Sequence, residues 1–161
     1  MELNPYAVYL GGQDPIPVIT RTAELLHMLI DPLSPAQVDR APAPGKWSIR
    51  EIVAHLADCE LVFAFRLRQA LAEDHSIIQP FDQTTWGDRY AAYDIASALR
   101  MFEAARNWNV KLLTTVTDAD RHRPTTHPER GTMTLWTIVE TMGGHDINHI
   151  QQIEKIAAAA S

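Results

Sequence analysis

The chain has 161 residues and a formal net charge of −6, from 14 Lys+Arg against 20 Asp+Glu, with no Lys/Arg-rich run. Affinity for nucleic acid and for anionic membranes comes from cations that neutralise phosphate, so both partners are excluded as first readings. The length fits one domain over residues 1–161. Such a domain buries about 70% of its unfolded surface without staples. The single Cys59, the absence of a secretory pattern in Met1–Pro17 and the lack of an apolar run near ~20 residues are together read as a cytoplasmic protein.

In chain order, helical periodicity starts at about Pro15 and runs to Ile30, with Ile19, Ala23, Leu26 and Ile30 on one face. Asp31-Pro32 and Ser34-Pro35 end it, because proline cannot continue a helix. A second helix begins at a capping box, Ser48-Ile49-Arg50-Glu51, flanked by a Trp47/Ile52 staple. It runs to about Ala72 on the stripe Ile52, Leu56, Cys59, Phe63 and Leu67. Glu73–Tyr93, with Pro80, Phe81 and Trp86, has little periodicity and reads as an ordered loop. A third helix spans about Asp94–Val116. After a loop with Pro124, Pro128 and Gly131, a fourth spans about Thr134–Ala158, with Leu135, Val139, Met142, His149, Ile153 and Ile156 on one stripe. No segment alternates in the manner of a strand, so no sheet is expected. The fold class is all-α, a four-helix bundle with long ordered loops.

The chemistry-bearing feature is His145 and His149, four apart, which puts two imidazoles on one helix face. With seven histidines in 161 residues, about 0.3 such pairs arise by chance, so spacing alone leaves open an ordinary hydrogen-bonded core histidine. His149 lies on the apolar stripe, and His55 lies beside the stripe of the second helix. Gly143-Gly144 occupy mid-helix positions where each costs about 1 kcal/mol against alanine. They fit a close backbone approach, space for a ligand, or a kink. Three imidazoles from two helices can hold one divalent ion and leave positions open, as catalytic centres do. Asp58, Glu60, Asn148 and Gln152 are candidate helpers; Asp58 and Gln152 could orient a ligand ring through its second nitrogen. The competing reading of Asp58 and Glu60 is solvated surface charge; Cys59 offers a nucleophile, but as a small residue on the apolar stripe it reads as packing. His27 forms half of a di-iron pattern, Glu24 to His27, without the second half. His75, His122 and His127 fall in loops, where solvation or capping is favoured.

The stretches Lys46–Asp58, Ile77–Asp82 with Trp86, His127–Gly131 and His145–Ile150 are similar to those of the DinB-like proteins, four-helix bundles with a three-histidine metal site. Within them the chain most resembles the YfiT-like group, described as candidate metal-dependent hydrolases and bacillithiol transferases. The resemblance implies that His55, His145 and His149 are the metal ligands and that the protein is a homodimer. It departs at Cys59-Glu60, where the group often has serine then histidine, and at Ala54, where a second histidine often stands. The expected function is a zinc- or nickel-dependent enzyme on a small molecule, through hydrolysis or through transfer of a low-molecular-weight thiol. The alternative is a non-catalytic bundle that binds a metal or small ligand and works through a partner. The expected site lies at one end of the bundle and loses its metal around pH 6, where free histidine titrates.

Overall fold

The structure, a computed structural model, describes residues 3–159. A short α1 (Ala7–Leu10) precedes α2 (Pro15–Ile30), which opens on Asp14 accepting the Ile16 N–H, with Pro15 at the first helical position. The turn α3 (Pro35–Asp39) follows, then α4 (Ile49–Ala72), where the Ser48/Glu51 capping box forms with Ser48 N–H donating to Glu51 Oε2 at 2.8 Å. Next come strand β1 (Ser76–Ile77), α5 (Gln83–Gly87), a single 3-10 turn (Tyr90–Ala92) and α6 (Ile95–Leu113), whose N-cap Asp94 accepts the Ser97 N–H. The turn α7 (Asp118–Arg121), strands β2 (Pro124–His127) and β3 (Gly131–Thr134) and the long α8 (Leu135–Ala158) complete the order. The expected helices thus form close to their expected bounds, because each carries a start signal and a sustained apolar period.

The four long helices pack in a ring: α4 on α6, α6 on α2, α2 on α8 and α8 on α4. The expectation of no sheet is corrected. The two interhelical loops meet in a three-stranded sheet, β1 parallel to β2 through Ser76↔Thr125 and β2 antiparallel to β3 through Thr125↔Met133. Strands of two to four residues are too short for alternation to register in sequence.

The core divides into two apolar clusters. One gathers Leu26, Ile30, Ile52, Leu56, Phe102 and Ile153; the other gathers Ile19, Phe63, Leu67, Leu113, Val139 and Met142. Along every long helix a polar layer separates them.

The glycine pair of α8 is explained by the N-terminal segment. A Cβ on Gly144 would stand 2.3 Å from the Tyr6 carbonyl oxygen, whereas one on Gly143 would meet Leu10 Cδ1 at 3.1 Å. Of the three readings of the pair, close backbone approach is the one seen. We expect Gly144→Ala to lose about 1–3 kcal/mol through overpacking. Gly143→Ala should come near neutral, because its helix-propensity gain of about 1 kcal/mol offsets a milder contact. Denaturant melts of the two variants check this; equal stability for both would contradict the Tyr6 contact.

Candidate metal centre

Each long helix places a polar residue on its buried stripe at the same level, and these residues meet. Thr22 on α2 follows Ile19, Glu60 on α4 follows Leu56, Arg106 on α6 follows Phe102, and Asp146 on α8 follows Met142. Arg106, 2% exposed, donates to Glu60 Oε1 at 2.7 Å, to Asp146 Oδ1 at 3.0 Å and Oδ2 at 2.5 Å, and to the Ile19 carbonyl at 2.7 Å. Thr22 Oγ1 donates to Asp146 Oδ2 at 2.6 Å, and Asn109 Nδ2 donates to Glu60 Oε2 at 2.9 Å. Burial opposes the Arg106 charge, but the carboxylates of Asp146 and Glu60 outweigh it and raise its pKa above the usual guanidinium value.

Beside this network three imidazoles converge. His55 is 0% exposed, His145 3% and His149 5%, so all three are shielded from solvent. Their ring centroids stand 5.2 Å apart for His55–His145, 4.9 Å for His55–His149 and 4.4 Å for His145–His149. His55 Nε2 lies 3.1 Å from His145 Nε2. Trp47 packs on His55 at 4.8 Å between ring centroids, and Tyr6 meets His145 edge-on at 5.0 Å. The cluster lies between the two apolar clusters, with His55 in the first two turns of α4 and His145 and His149 in the middle of α8.

The electrostatics keep the rings neutral. Burial, then the neighbouring His149, lowers the pKa of His55 to about 3. Burial, then His149 and His55, pushes His145 well below its ordinary value. Burial lowers His149 as well, against an opposing pull from Gln152. Neutral imidazole is the form that binds metal. His149 Nδ1 stands 3.0 Å from Gln152 Oε1, which accepts its proton and leaves Nε2 as a bare lone pair. That Nε2 is buried without a hydrogen-bond partner, as is His145 Nδ1. A buried unpaired polar atom costs about 1–3 kcal/mol, so the donor set fits a divalent cation that would satisfy His149.

Of the expected helpers, Gln152 is brought onto His149. Asp58 reaches the cluster indirectly, hydrogen-bonded to Tyr90, whose hydroxyl lies 3.4 Å from His55 Nδ1. Glu60 is neither a surface charge nor at the rings; its carboxylate is taken by Arg106 and Asn109. Asn148 is half-buried and makes no hydrogen bond to the rings among the described residues. Cys59, read as packing in preference to a nucleophile, is buried with its sulfur 3.5 Å from His55 Nε2 and 3.8 Å from His145 Nε2. Sequence reasoning missed Arg106, Asn109, Asp146, Tyr90 and Tyr6. A signal existed for the first three: Leu99, Phe102, Arg106, Asn109 and Leu113 recur at three and four, as do Met142, Asp146, His149 and Ile153. The remaining histidines stay apart. His27 bonds Asp31 and Glu103, and exposed His75 bonds Thr126. His122, at the C-cap of α7, is exposed. His127 is buried rather than solvated, its Nδ1 accepting the Glu129 N–H at 3.2 Å.

A ring of four long helices around a buried histidine–cysteine group defines a class: a helical bundle with a candidate metal centre in its interior. The chain belongs to the DinB superfamily, whose family model matches residues 19–153. It is 27% identical over 133 residues to a candidate metal-dependent hydrolase of Oceanobacillus iheyensis, covering 82% of this chain and 77% of that one. It is also 27% identical over 148 residues to the candidate metal-dependent hydrolase YfiT of Bacillus subtilis, covering 88% and 82%. Compared as structures, this chain and YfiT share a TM-score of 0.83 at 24% identity, over 90% of this chain and 85% of the other. That likeness shows the fold, which in YfiT is described as a four-helix bundle of unusual topology. Among the described residues, no helix is long and apolar enough to cross a membrane.

Proposed function

We propose that this chain is a metal-dependent enzyme acting on a small molecule, of the hydrolase or thiol S-transferase type, with His55, His145 and His149 as ligands of zinc or nickel. The observation that carries this is the buried, unpartnered His149 Nε2 among three converging neutral rings. A divalent ion held there supplies Lewis acidity, lowering the pKa of a bound water or thiol toward neutrality. The chain's own residues set the frame. Gln152 fixes the His149 tautomer, Tyr90 and Asp58 hold the far side of His55, and Trp47 and Tyr6 keep water from the rings.

A groove of about 980 Å³ beside the cluster supports a small-molecule substrate. It reaches Trp47 and Gln152, and Arg40, Lys46 and Lys155 line it with no acidic residue. A homodimer belongs to this reading; the apolar groove of Leu61, Phe65, Phe81 and Trp86 is the surface that supports it. One observation favours the second reading, a non-catalytic metal-binding bundle: the rings are nearly inaccessible and do not line the large groove.

Metal analysis of protein purified without a histidine tag should find about one divalent ion per chain. His149→Ala should lose most of it and lower the melting temperature of the loaded protein. A chain without stoichiometric metal, whose His149→Ala variant changes neither metal content nor stability, ends the proposal. Thiols offered with electrophiles, beside esters and amides, separate transferase from hydrolase; full metal with no turnover on any of them favours the binding bundle.

A further inference from the structure

The tightest set of potential ligand atoms in the described residues is not the three histidines. It is His55, Cys59 and His145, whose donor atoms all lie within 4.8 Å of one another. His55 Nε2 and His145 Nε2 are 3.1 Å apart, and Cys59 Sγ stands 3.5 Å and 3.8 Å from them. Around tetrahedral zinc, bonds of about 2.0–2.1 Å to nitrogen and about 2.3 Å to sulfur set donors about 3.3 Å apart for N···N and about 3.6 Å for N···S. The observed edges match these to within a few tenths of an ångström. All three side chains are buried; the unpartnered His149 Nε2, one turn further along α8, stands outside this set.

We propose that Cys59 is a metal ligand through Sγ, giving the centre a mixed sulfur–nitrogen donor set. The inference rests on the metal reading above and deepens it. As the metal–sulfur bond forms, the Cys59 S–H proton leaves to solvent and the sulfur binds as thiolate. Sγ also lies 3.8 Å from His55 Nδ1, so it stands against the flank of that ring. Rotation about the His55 Cβ–Cγ bond, a broad and soft torsion, turns the Nε2 lone pair toward the shared centre. The thiolate lowers the charge at a divalent centre from +2 to +1, and softens it in favour of zinc over harder ions.

The test is cobalt(II) titration of the metal-stripped full chain. We expect stoichiometric binding with an intense near-ultraviolet sulfur-to-cobalt charge-transfer band, assignable because Cys59 is the only thiol. In Cys59→Ser and Cys59→Ala the band disappears while the histidines still bind cobalt. Losing a residue that merely orients a ligand costs about 10–100-fold in affinity, so these variants should bind at least about tenfold more weakly. Cobalt bound without the sulfur band, or with equal affinity in the variants, overturns Cys59 ligation and leaves the histidine reading standing. No cobalt binding overturns both. X-ray absorption of the zinc-loaded wild-type chain needs no variant: one sulfur at about 2.3 Å supports the proposal, and a shell of nitrogen and oxygen alone overturns it.

Discussion

Replacing Arg106 with leucine should destabilise the metal-free protein by about 3–5 kcal/mol, the usual cost of removing one partner from a buried ion network. Among the described residues the guanidinium is the only cation that Glu60 and Asp146 touch, and both carboxylates are 1% exposed. Without it two buried negative charges face each other across the core with only Thr22 and Asn109 as donors. Against a typical total stability of about 5–15 kcal/mol, such a loss leaves the chain marginal. In a protein this size it corresponds to a melting temperature lower by about 6–20 °C. The complementary variant replaces Glu60, Arg106 and Asp146 together by apolar residues of similar volume. It should recover most of the loss, since no charge is then left unpaired. A single variant within 1 kcal/mol of wild type, judged against that ~3–5 kcal/mol expectation, would show that water reaches the network.

Acid should weaken the metal-free protein well before its carboxylates titrate. Above about pH 6.5 the three histidines are neutral in both folded and unfolded chains and contribute no pH dependence. Below it the unfolded chain takes up protons that the folded one refuses, since His55 is held at about 3 and His145 and His149 are also depressed. For a ring as depressed as His55, linkage gives about 2 kcal/mol lost by pH 5, with further loss until the folded value is passed. His145, also depressed by burial, acts in the same direction. His27, raised by its bonds to Asp31 and Glu103, gains its stabilisation above that window and holds it constant below about 6.5; it is half-exposed, so its share is small. Urea melts from pH 7.5 to pH 5 should therefore show a steep fall, reduced in His55→Leu. A flat profile would mean that the rings are hydrated.

The sequence was most legible where signals were long. Ser48 and Glu51 announced α4, and the prolines after Ile30 closed α2. The strands escaped because pairing between Ser76 and Thr125 joins two loops across nearly fifty residues, and nothing local encodes it. The histidine pair was visible as a spacing, and its meeting with His55 depended only on which faces α4 and α8 present to each other. Glu60 shows why the rest was hidden. An acid on a helix usually faces water, and only the arrival of Arg106 from α6 makes its place on the apolar stripe tolerable. Gly144 carried a signal of cost, but the partner that requires it, the Tyr6 backbone, lies more than a hundred residues away.

The polar layer between the two apolar clusters also fixes how the helices are aligned. Apolar surfaces are forgiving of sliding, since leucine against leucine differs little one turn along, about 5.4 Å. A bundle held by them alone has several near-equal alignments. Here the stripe of every long helix carries a polar residue at one level, and only one alignment brings Thr22, Glu60, Arg106 and Asp146 together. Any shift by a turn would set a charge against hydrocarbon on three of the helices and leave the Thr22 hydroxyl without Asp146 on the fourth. The layer acts as a vernier, a single mark read on four scales, and the same alignment sets His55 opposite His145 and His149.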